Sequence, residues 1–515
     1  MLRGIRNFGR LLTVARTLAR HGALAPFAER IEGAGLAPAI LLVARLFTRG
    51  KAEAGRPGER LAAALVELGP VFIKFGQLLS TRSDILGEEV TSDLSRLQDR
   101  LPPFAGGIAR AIVTAELGQP LETMFSSFED EPVSAASIAQ VHYAVTTEGE
   151  LVAVKVLRPA IEQAFARDLD LMFWIAEWLA RSQPKLRRFR PLAVAETFRA
   201  MCRVELDLRL EAAAAAELAQ NFADDPSYRV PKIDWRRTTR RVLTLERLTG
   251  IPMDDGAAMR AAGIDVDMVL ARAAAIFFKQ AFRDGFFHGD QHPGNMFVDP
   301  EGNIGAVDFG IMGRLDRKHR YYLADMLLGF LERDYARVAD VHFAAGFVPA
   351  NQSREDFTQA CRSIGEPIFG RPLAEISFAR VLGQLLRLSE SFEMEAQPQL
   401  LLLQKNMLMA EGISRQLNPN LNIWTLAQPL VEEWMRENRG PEARIGQAAR
   451  DMVSIAGRIP DLVSDMEAAA ATIARGGVRL HPDTLGAFAR ANGRGRGWLI
   501  WLAIGALALM FVFSR

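Results

Sequence analysis

Apolar side chains recur at the spacing of a helix in the N-terminal part of the chain. Between Leu61 and Leu79 they fall three or four residues apart, which is the period of one helix face. From Val133 the pattern changes to short runs of β-prone residues. Two of these runs, 141–145 and 151–156, are separated by Thr-Thr-Glu-Gly-Glu, and this arrangement predicts a β-hairpin.

Further along, one more strand is predicted at Val242–Leu245, and long helical patterns then run from Met268 past Leu480. Composition changes this picture little, since 49% of the 515 residues are hydrophobic and 24% are charged, as in ordinary globular proteins. A net charge of +1 gives no electrostatic support for nucleic-acid binding. The two cysteines lack metal-ligand spacing, so neither a metal site nor a disulfide is expected from them.

The N-terminal segment, residues 1–22, distributes five arginines among apolar side chains, as an amphipathic helix does and a secretory signal does not. Two interpretations stay open. The helix could lie on a membrane surface, attracted to anionic lipid, or it could pack on the body of the protein.

The C-terminal segment predicts a membrane anchor. Residues 498–513 carry no charge, have Trp498 and Trp501 at their entry side and are flanked by arginines. A helix of this length spans roughly 24 Å, which is shorter than the roughly 30 Å hydrocarbon core, so a buried core helix is the alternative.

A lysine closes one of the predicted strands, in Val152-Ala153-Val154-Lys155. An ammonium group at the end of an apolar strand must meet a charge, because burying it alone is costly. In protein kinases the lysine of this motif pairs with ATP phosphates and a helix glutamate.

A rigid Pro- and Gly-containing loop follows at residues 288–295, with the sequence HGDQHPGN. Its Asp290 and Asn295 match the aspartate and asparagine of the kinase catalytic loop, which predicts a base or nucleophile-orienting role for Asp290 and a metal-binding role for Asn295. We interpret His288 and His292 as loop histidines that satisfy backbone groups.

Thirteen residues after Asn295 comes Asp308-Phe309-Gly310, at the end of an apolar run. A carboxylate placed here suits a Mg²⁺ ligand facing phosphates. DFG at this distance after the catalytic loop, with VAVK upstream, is a strong indication of a kinase-like site.

Two further motifs depart from ordinary kinases. An Ala-rich loop stands where a kinase has G-x-G-x-x-G, and its alanines predict a stiffer approach to phosphate. Lys74 and Gln77 lie on one face of an N-terminal helix. The candidate phosphate-loop residues are Ala135, Ala136, Ser137, Ile138, Ala139 and Gln140.

Together these residues resemble the UbiB family of atypical kinase-like proteins. The combination of KxGQ with the Ala-rich loop is specific to that family. The matching segments are KxGQ at 74–77, SAASIAQVH at 134–142, VAVK at 152–155, ELDLRLEA at 205–212, HGDQHPGN at 288–295 and DFG at 308–310.

The resemblance implies an α+β, protein-kinase-like bilobal fold with an N-terminal helical extension, a helical C-terminal region and a C-terminal membrane helix. It further implies that KxGQ covers the active site, with Glu205 and Asp207 pairing with Lys74 and Gln77. Glu211 would face Lys155. The expected divisions are 1–130 for the extension, 131–345 for the ATP-binding core, 346–490 for the helical region and 498–513 for the anchor.

The resemblance also implies that residues from Glu246 to Leu248 form the hinge that meets adenine, and that ATP and Mg²⁺ bind. The expected location is the cell inner membrane, with the kinase-like domain facing the cytoplasm. Candidate partners are membrane lipid, quinone-precursor-like small molecules, quinone-biosynthesis enzymes and a second copy of the chain.

Three functions compete: a membrane-bound ATPase or small-molecule kinase in ubiquinone biosynthesis, a non-catalytic ATP-binding scaffold, and a protein kinase. The complete set of kinase-type residues argues against a scaffold. After DFG, no A-P-E motif follows in range and a helical pattern starts near Lys318, which argues against a protein kinase. A hydroxylase has no support, because there is no flavin fingerprint and no iron-ligand triad.

Overall fold

The computed structural model describes most of the chain up to residue 439. The described residues are 2–23, 55–80, 86–94, 101–182, 190–367, 384, 388–389, 391–394, 398–419 and 423–439. The chain divides into two units, Met1–Trp434 and Met435–Arg515, and of the second unit only the end of one helix is described. The predicted anchor at 498–513 lies outside these residues. Within them, no helix combines the length and the apolar character needed to cross a membrane.

The helices are, in chain order, α1 (Leu2–Arg20), α2 (Pro57–Leu68), α3 (Pro70–Leu79), α4 (Glu88–Leu94), α5 (Gly106–Leu117), α6 (Leu121–Met124), α7 (Ile161–Ser182), α8 (Pro191–Glu205), α9 (Leu208–Asn221), α10 (Gly256–Ala261), α11 (Val266–Phe278), α12 (Arg317–Leu331), α13 (Tyr335–Ala345), α14 (Arg354–Gly365), α15 (Pro398–Leu417) and α16 (Ile423–Arg439). A π-helical turn, Lys279–Asp284, continues α11, and 3₁₀ turns lie at Trp235–Arg237 and Pro293–Asn295.

The strands are β1 (Phe125–Phe128), β2 (Ser134–Ala135), β3 (Ala139–Thr146), β4 (Leu151–Leu157), β5 (Tyr228–Arg229), β6 (Val242–Glu246), β7 (Ile251–Pro252), β8 (Phe286–His288), β9 (Met296–Val298), β10 (Ile304–Ala306) and β11 (Met312–Arg314).

The helical pattern predicted between Leu61 and Leu79 is present as two helices, α2 and α3. They are separated at Gly69, whose φ of +103° is one that side chains rarely adopt. Each helix begins with a proline, which has no N–H to leave unbonded in the first turn. Leu61, Phe72 and their apolar neighbours are buried in one core with residues of α7 to α9.

Helix α1 packs against α2 and α7, so the structure shows the second of the two interpretations, a helix on the body of the protein. Three of its arginines bind acidic side chains of α7, and Arg20 binds Glu67 of α2. Arg10 holds Asp168 through two hydrogen bonds of 2.8 and 2.9 Å, and Arg3 and Arg6 bind Asp170. These arginines therefore pair with acidic side chains of the protein itself.

The first sheet is antiparallel, with strand order β1-β3-β4-β6 and β2 paired to β3. The predicted hairpin and the predicted strand near Val242 are both confirmed, as β3–β4 and β6. Strand β1 lies within the range expected for the N-terminal extension, yet it pairs with β3 in this sheet. The apolar side chains of β1 are buried together with apolar side chains of α5 and α6.

Two smaller sheets of short strands present the loops of the site. Strands β5, β10, β9 and β7 form one sheet, and β8 pairs with β11 in another. The HGDQHPGN segment begins at the end of β8 and runs through the 3₁₀ turn into β9, and DFG connects β10 to β11. Strand pairing therefore brings the HGDQHPGN segment and DFG, the two loops that kinases use for catalysis and metal binding, side by side.

Candidate active site

Lys155 lies at the centre of a cluster of charges. It stands near the end of β4, and its Nζ is 2.8 Å from Glu211 Oε1 and 2.9 Å from Asp308 Oδ1. The side chains of Lys155 and Glu211 are only 13% and 8% exposed, so this ion pair is mostly withdrawn from water. The structure thereby brings together three residues that lie 56 and 153 positions apart in sequence.

The charges in this cluster shift one another's protonation. Lys155 holds the pKa of Asp308 well below its usual range. Burial raises the pKa of Glu211 to about 7, although Lys155 opposes that rise. Burial also disfavours the Lys155 ammonium, but the carboxylates of Asp308 and Glu211 outweigh it and raise the pKa of Lys155. The ammonium is therefore the fixed positive charge of the site.

Asp308 adopts a left-handed backbone, with φ at +63°, directly before Phe309 and Gly310. This conformation is uncommon outside glycine, and such strain is often found at functional positions. The backbone next to it is tied to the catalytic loop, because Val307 N donates to Asn295 O at 2.9 Å. The two candidate metal ligands, Asp308 and Asn295, are thus held on adjacent backbone segments.

Asn295 fixes its own loop through its amide nitrogen, which donates to Asp290 O at 3.3 Å. The amide oxygen, the atom that could bind Mg²⁺, is outside this hydrogen bond. The histidine interpretation is confirmed: His288 Nδ1 accepts from Asp290 N, and His292 Nδ1 accepts from Gly294 N, both at 3.1 Å. Burial lowers the pKa of His288, in keeping with a neutral ring that accepts this bond.

Gly289 explains why this loop reads HGD where kinases have HRD. A Cβ atom at this position would lie 2.9 Å from Ile311 Cγ2 and 3.0 Å from Ile311 O. Gly289 N also donates to Ile311 O at 2.8 Å. The segment after DFG therefore packs directly on the catalytic loop, and a side chain at position 289 would require Ile311 to shift.

The Ala-rich loop is a tight turn between β2 and β3, closed by a hydrogen bond of 2.8 Å from Ala136 N to Ala139 O. Arg158 holds this turn, because its Nε and Nη2 donate to Ala136 O at 3.0 and 2.8 Å. Ser137 is fully buried, and its Oγ makes no hydrogen bond within the described residues. The turn is held by these hydrogen bonds, the stiffness expected from its alanines stays a prediction, and the Ser137 hydroxyl is left unbonded within the described residues.

Gln140 belongs to the support of this loop. Its amide accepts from Phe104 N at 2.9 Å and donates to Phe104 O at 3.1 Å, and its Nε2 lies 2.8 Å from His142 Nε2. His142 Nδ1 is 2.8 Å from Glu129 O. Burial lowers the pKa of His142, so the ring is neutral in this chain of polar contacts. Gln140 thus faces the protein, whereas Ala135 and Ala136 are partly exposed.

The KxGQ motif lies in α3. Lys74 Nζ is 3.1 Å from Glu205 Oε2, at the end of α8. Asp207 differs from the expectation: its carboxylate binds Arg209 Nη2 at 2.6 Å and accepts from Arg209 N, because it is the N-cap of α9. Gln77 lies in the last turn of α3, where its backbone carbonyl accepts from Ser80 Oγ.

At the expected hinge, Glu246 ends β6, with its backbone N–H bonded to Lys232 O at 2.8 Å. Its carboxylate binds Arg229 and accepts from Lys232 N at 3.2 Å. Leu248 packs over Gly305, where its Cδ1 lies 3.0 Å from the place a Cβ would occupy. The side chain of Glu246 is therefore engaged with the protein.

Two residues of α15 reach the catalytic loop and were not foreseen from the sequence. Lys405 Nζ lies 2.7 Å from Asp290 Oδ1. Asn406, which is fully buried, donates to His288 O and accepts from Gln291 N. One signal was present: Gln404, Lys405 and Asn406 interrupt an apolar stretch, between the leucines of 400–403 and the Met-Leu-Met of 407–409.

The chain matches two family descriptions. Residues 96–342 match the ABC1 atypical kinase-like domain, and residues 361–422 match the UbiB helical domain, which contains Lys405. A probable protein kinase UbiB of Marinobacter nauticus is 44% identical over 79% of this chain and 75% of its own length. The same-named protein of Cellvibrio japonicus is 41% identical over 85% of this chain and 79% of its own length.

A solved structure has a similar fold. The complex of Rv3197 with erythromycin from Mycobacterium tuberculosis gives a TM-score of 0.52 at 26% identity, covering 72% of this chain and 94% of that one. The kinase-like fold expected from the motifs is thereby confirmed. With relatives above 40% identity over most of its length and both domains matched, the chain belongs to the UbiB family of atypical kinase-like proteins.

Proposed function

We propose that this protein is an atypical kinase-like ATPase that binds Mg-ATP and supports ubiquinone biosynthesis by acting on or extracting lipid-like quinone precursors. The observation that carries the proposal is the cluster of Lys155, Glu211 and Asp308 beside Asp290 and Asn295. These are the residue types that phosphoryl transfer uses to bind nucleotide, hold metal and orient the attacking oxygen.

The site suits a nucleotide. Lys155 supplies a fixed positive charge for phosphate, and Glu211 holds that charge in place. Ser137 offers a buried hydroxyl without a partner among the described residues, in the turn that replaces the kinase glycine loop. Hinge backbone near Glu246 and the side chain of Leu248 would meet adenine.

The same site suits Mg²⁺, which binds few protein carboxylates and shares its coordination with phosphates. Asp308 and Asn295 would hold it, since each keeps an oxygen outside its hydrogen bonds to the protein. Within the described residues there is no group of three or more His, Cys, Asp or Glu side chains that could hold a metal alone. The metal would neutralise phosphate charge when bound.

The segment after DFG supports a small-molecule or water acceptor over a protein acceptor. Residues 311–316 alone join Gly310 to α12, and three of them form β11 against β8. A kinase places its activation segment, on which a peptide docks, between these points. In the same direction, α3 is fixed to α8 by the Lys74–Glu205 pair, and we propose that it covers the peptide side of the site.

Membrane association belongs to this proposal, at the cell inner membrane with the kinase-like domain in the cytoplasm. It is supported by the uncharged run at 498–513 and by the lipid-like chemistry of quinone precursors. Quinone-biosynthesis enzymes and a second copy of the chain are the proposed protein partners. The second candidate function is a non-catalytic ATP-binding scaffold for such enzymes.

The test is release of ADP by the purified full-length chain, with Mg-ATP, on anionic liposomes and with or without an alkylated phenol as a quinone-precursor mimic. We expect Mg²⁺-dependent turnover that the phenol and the liposomes increase. Lys155→Met should abolish it. Binding of ATP with ADP release no greater than that of Lys155→Met would favour the scaffold and overturn the enzyme.

A further inference from the structure

Helix α15 is fixed to both sides of the catalytic aspartate. Asn406 donates to the carbonyl of His288 and accepts from the N–H of Gln291, so one buried amide bridges the residues that flank Gly289 and Asp290. This places the neighbouring side chain, Lys405, with its Nζ 2.7 Å from Asp290 Oδ1. The contact joins residues 115 positions apart.

Stability does not account for the Lys405–Asp290 pair. The two side chains are 46% and 31% exposed, and ion pairs this open to water contribute little to folding. The buried amide of Asn406 already anchors the helix. The ammonium group therefore stands at the edge of the site, beside the residue expected to receive a proton.

The catalytic loop also lacks a cation of its own. Residues 288–295 contain no lysine or arginine, and a side chain at position 289, next to Asp290, would press on Ile311. A carboxylate that must orient a hydroxyl or water needs a fixed rotamer, and a hydrogen-bonded partner provides one. Lys405 is placed to do this from outside the loop.

We propose that Lys405 is a positioning residue for Asp290, supplied to the kinase-like core by the helical domain; this rests on the proposed function. In the reaction, an acceptor oxygen forms a bond to the γ-phosphorus of ATP while the bond from that phosphorus to the β,γ-bridging oxygen breaks. ADP leaves with the electron pair, and the acceptor proton passes to Asp290. Lys405 keeps its protons and holds Oδ1, which leaves Oδ2 for the acceptor.

The experiment compares ADP release by the full-length chain with that of Lys405→Met, Lys405→Arg and a matched control, Lys279→Met. Lys279 lies 2.7 Å from Asp225 Oδ2 and is 40% exposed, so it forms a similar Lys–Asp pair in which neither residue belongs to the catalytic loop. We expect Lys405→Met to lower kcat by about tenfold or more, with KM for Mg-ATP and Tm unchanged. Lys405→Arg should recover most of kcat, and Lys279→Met should match the wild type.

The outcomes separate the two proposals. Turnover by the wild type with an unchanged kcat in Lys405→Met would overturn the positioning role and leave the proposed function standing. A rise in KM at constant kcat would also overturn the positioning role, since Lys405 would then serve nucleotide binding. Absence of turnover in the folded wild type would overturn both. Equal loss in the Met and Arg variants would contradict a role for the charge.

Discussion

Lys74 Nζ lies 3.1 Å from Glu205 Oε2, and the two side chains are 11% and 12% exposed. This pair connects the N-terminal helix α3 to the end of α8, which two residues separate from α9, the helix that carries Glu211. The field of Lys74 reaches the site: the pKa of Asp308 is held below its usual range mainly by Lys155 and, to a smaller extent, by Lys74. A lysine on an exposed helix face would neither form such a mostly buried pair nor lower the pKa of Asp308.

Removing one member of this pair should therefore be costly. Lys74→Met leaves Glu205 buried without its ammonium, and loss of one partner of a buried pair typically costs about 3–5 kcal/mol. We expect Glu205→Gln in the Lys74→Met background to recover a large part of the loss. Urea denaturation of both single variants and the double variant measures this. If the losses of the two single variants simply add in the double variant, Lys74 and Glu205 do not stabilise each other, and Lys74 behaves as an ordinary surface lysine.

The Lys155–Glu211 pair should behave in the same way but with a separate readout. Lys155→Met leaves Glu211 buried beside Asp308, and we expect a loss of about 3–5 kcal/mol in the free energy of unfolding. Adding Glu211→Gln should restore stability without restoring nucleotide binding. Denaturation and nucleotide titration on the same samples test both parts. Recovery of binding in the double variant would show that Lys155 does not contact phosphate.

Arg158 should control the rigidity of the Ala-rich loop, since it donates two hydrogen bonds to Ala136 O. We expect Arg158→Ala to speed amide hydrogen exchange at residues 136–139 and to change the relative affinities for ADP and ATP. Arg236→Ala, which removes an exposed arginine from the same lobe, is the control. Unchanged exchange in Arg158→Ala would mean that the turn is rigid without the clamp.

His142 gives the stability a defined pH dependence. Burial lowers its pKa in the folded state, so the neutral ring contributes stability that is fully present above about pH 6.5 and is lost as the pH falls below that value. The stability difference between the wild type and His142→Asn should therefore shrink from pH 7.5 to 5.5, by at most about 1.4 kcal/mol per pH unit. A difference that stays constant over this range would show that His142 does not titrate abnormally.

Local patterns predicted the parts of the site that follow one another in sequence. The β3–β4 hairpin, β6 and the start of α12 lie where spacing and composition placed them, because each depends on a short segment. The pairing of Lys155 with Glu211 came from the family resemblance. Asp207 shows the limit, since its role as the N-cap of α9 directed its carboxylate to Arg209.

Contacts between distant segments could not be predicted in this way. Lys405 contacts Asp290 although 115 positions separate them in the sequence. Arg158, directly after β4, donates to the backbone carbonyl of Ala136. Neither residue stands in a motif with the group it contacts. The positions of such side chains depend on how helices and strands pack, which no local period encodes.

The most direct test of the account is calorimetric titration of the full-length chain with ATP, in the presence and absence of Mg²⁺. The wild type should bind ATP more tightly with Mg²⁺, and Asp308→Asn should lose that enhancement, weakening Mg-ATP binding by about tenfold or more. Asp340→Asn, an exposed aspartate paired with Arg354, should match the wild type. Equal Mg-ATP affinities for the wild type and Asp308→Asn would contradict the assignment of this cluster as a Mg-ATP site.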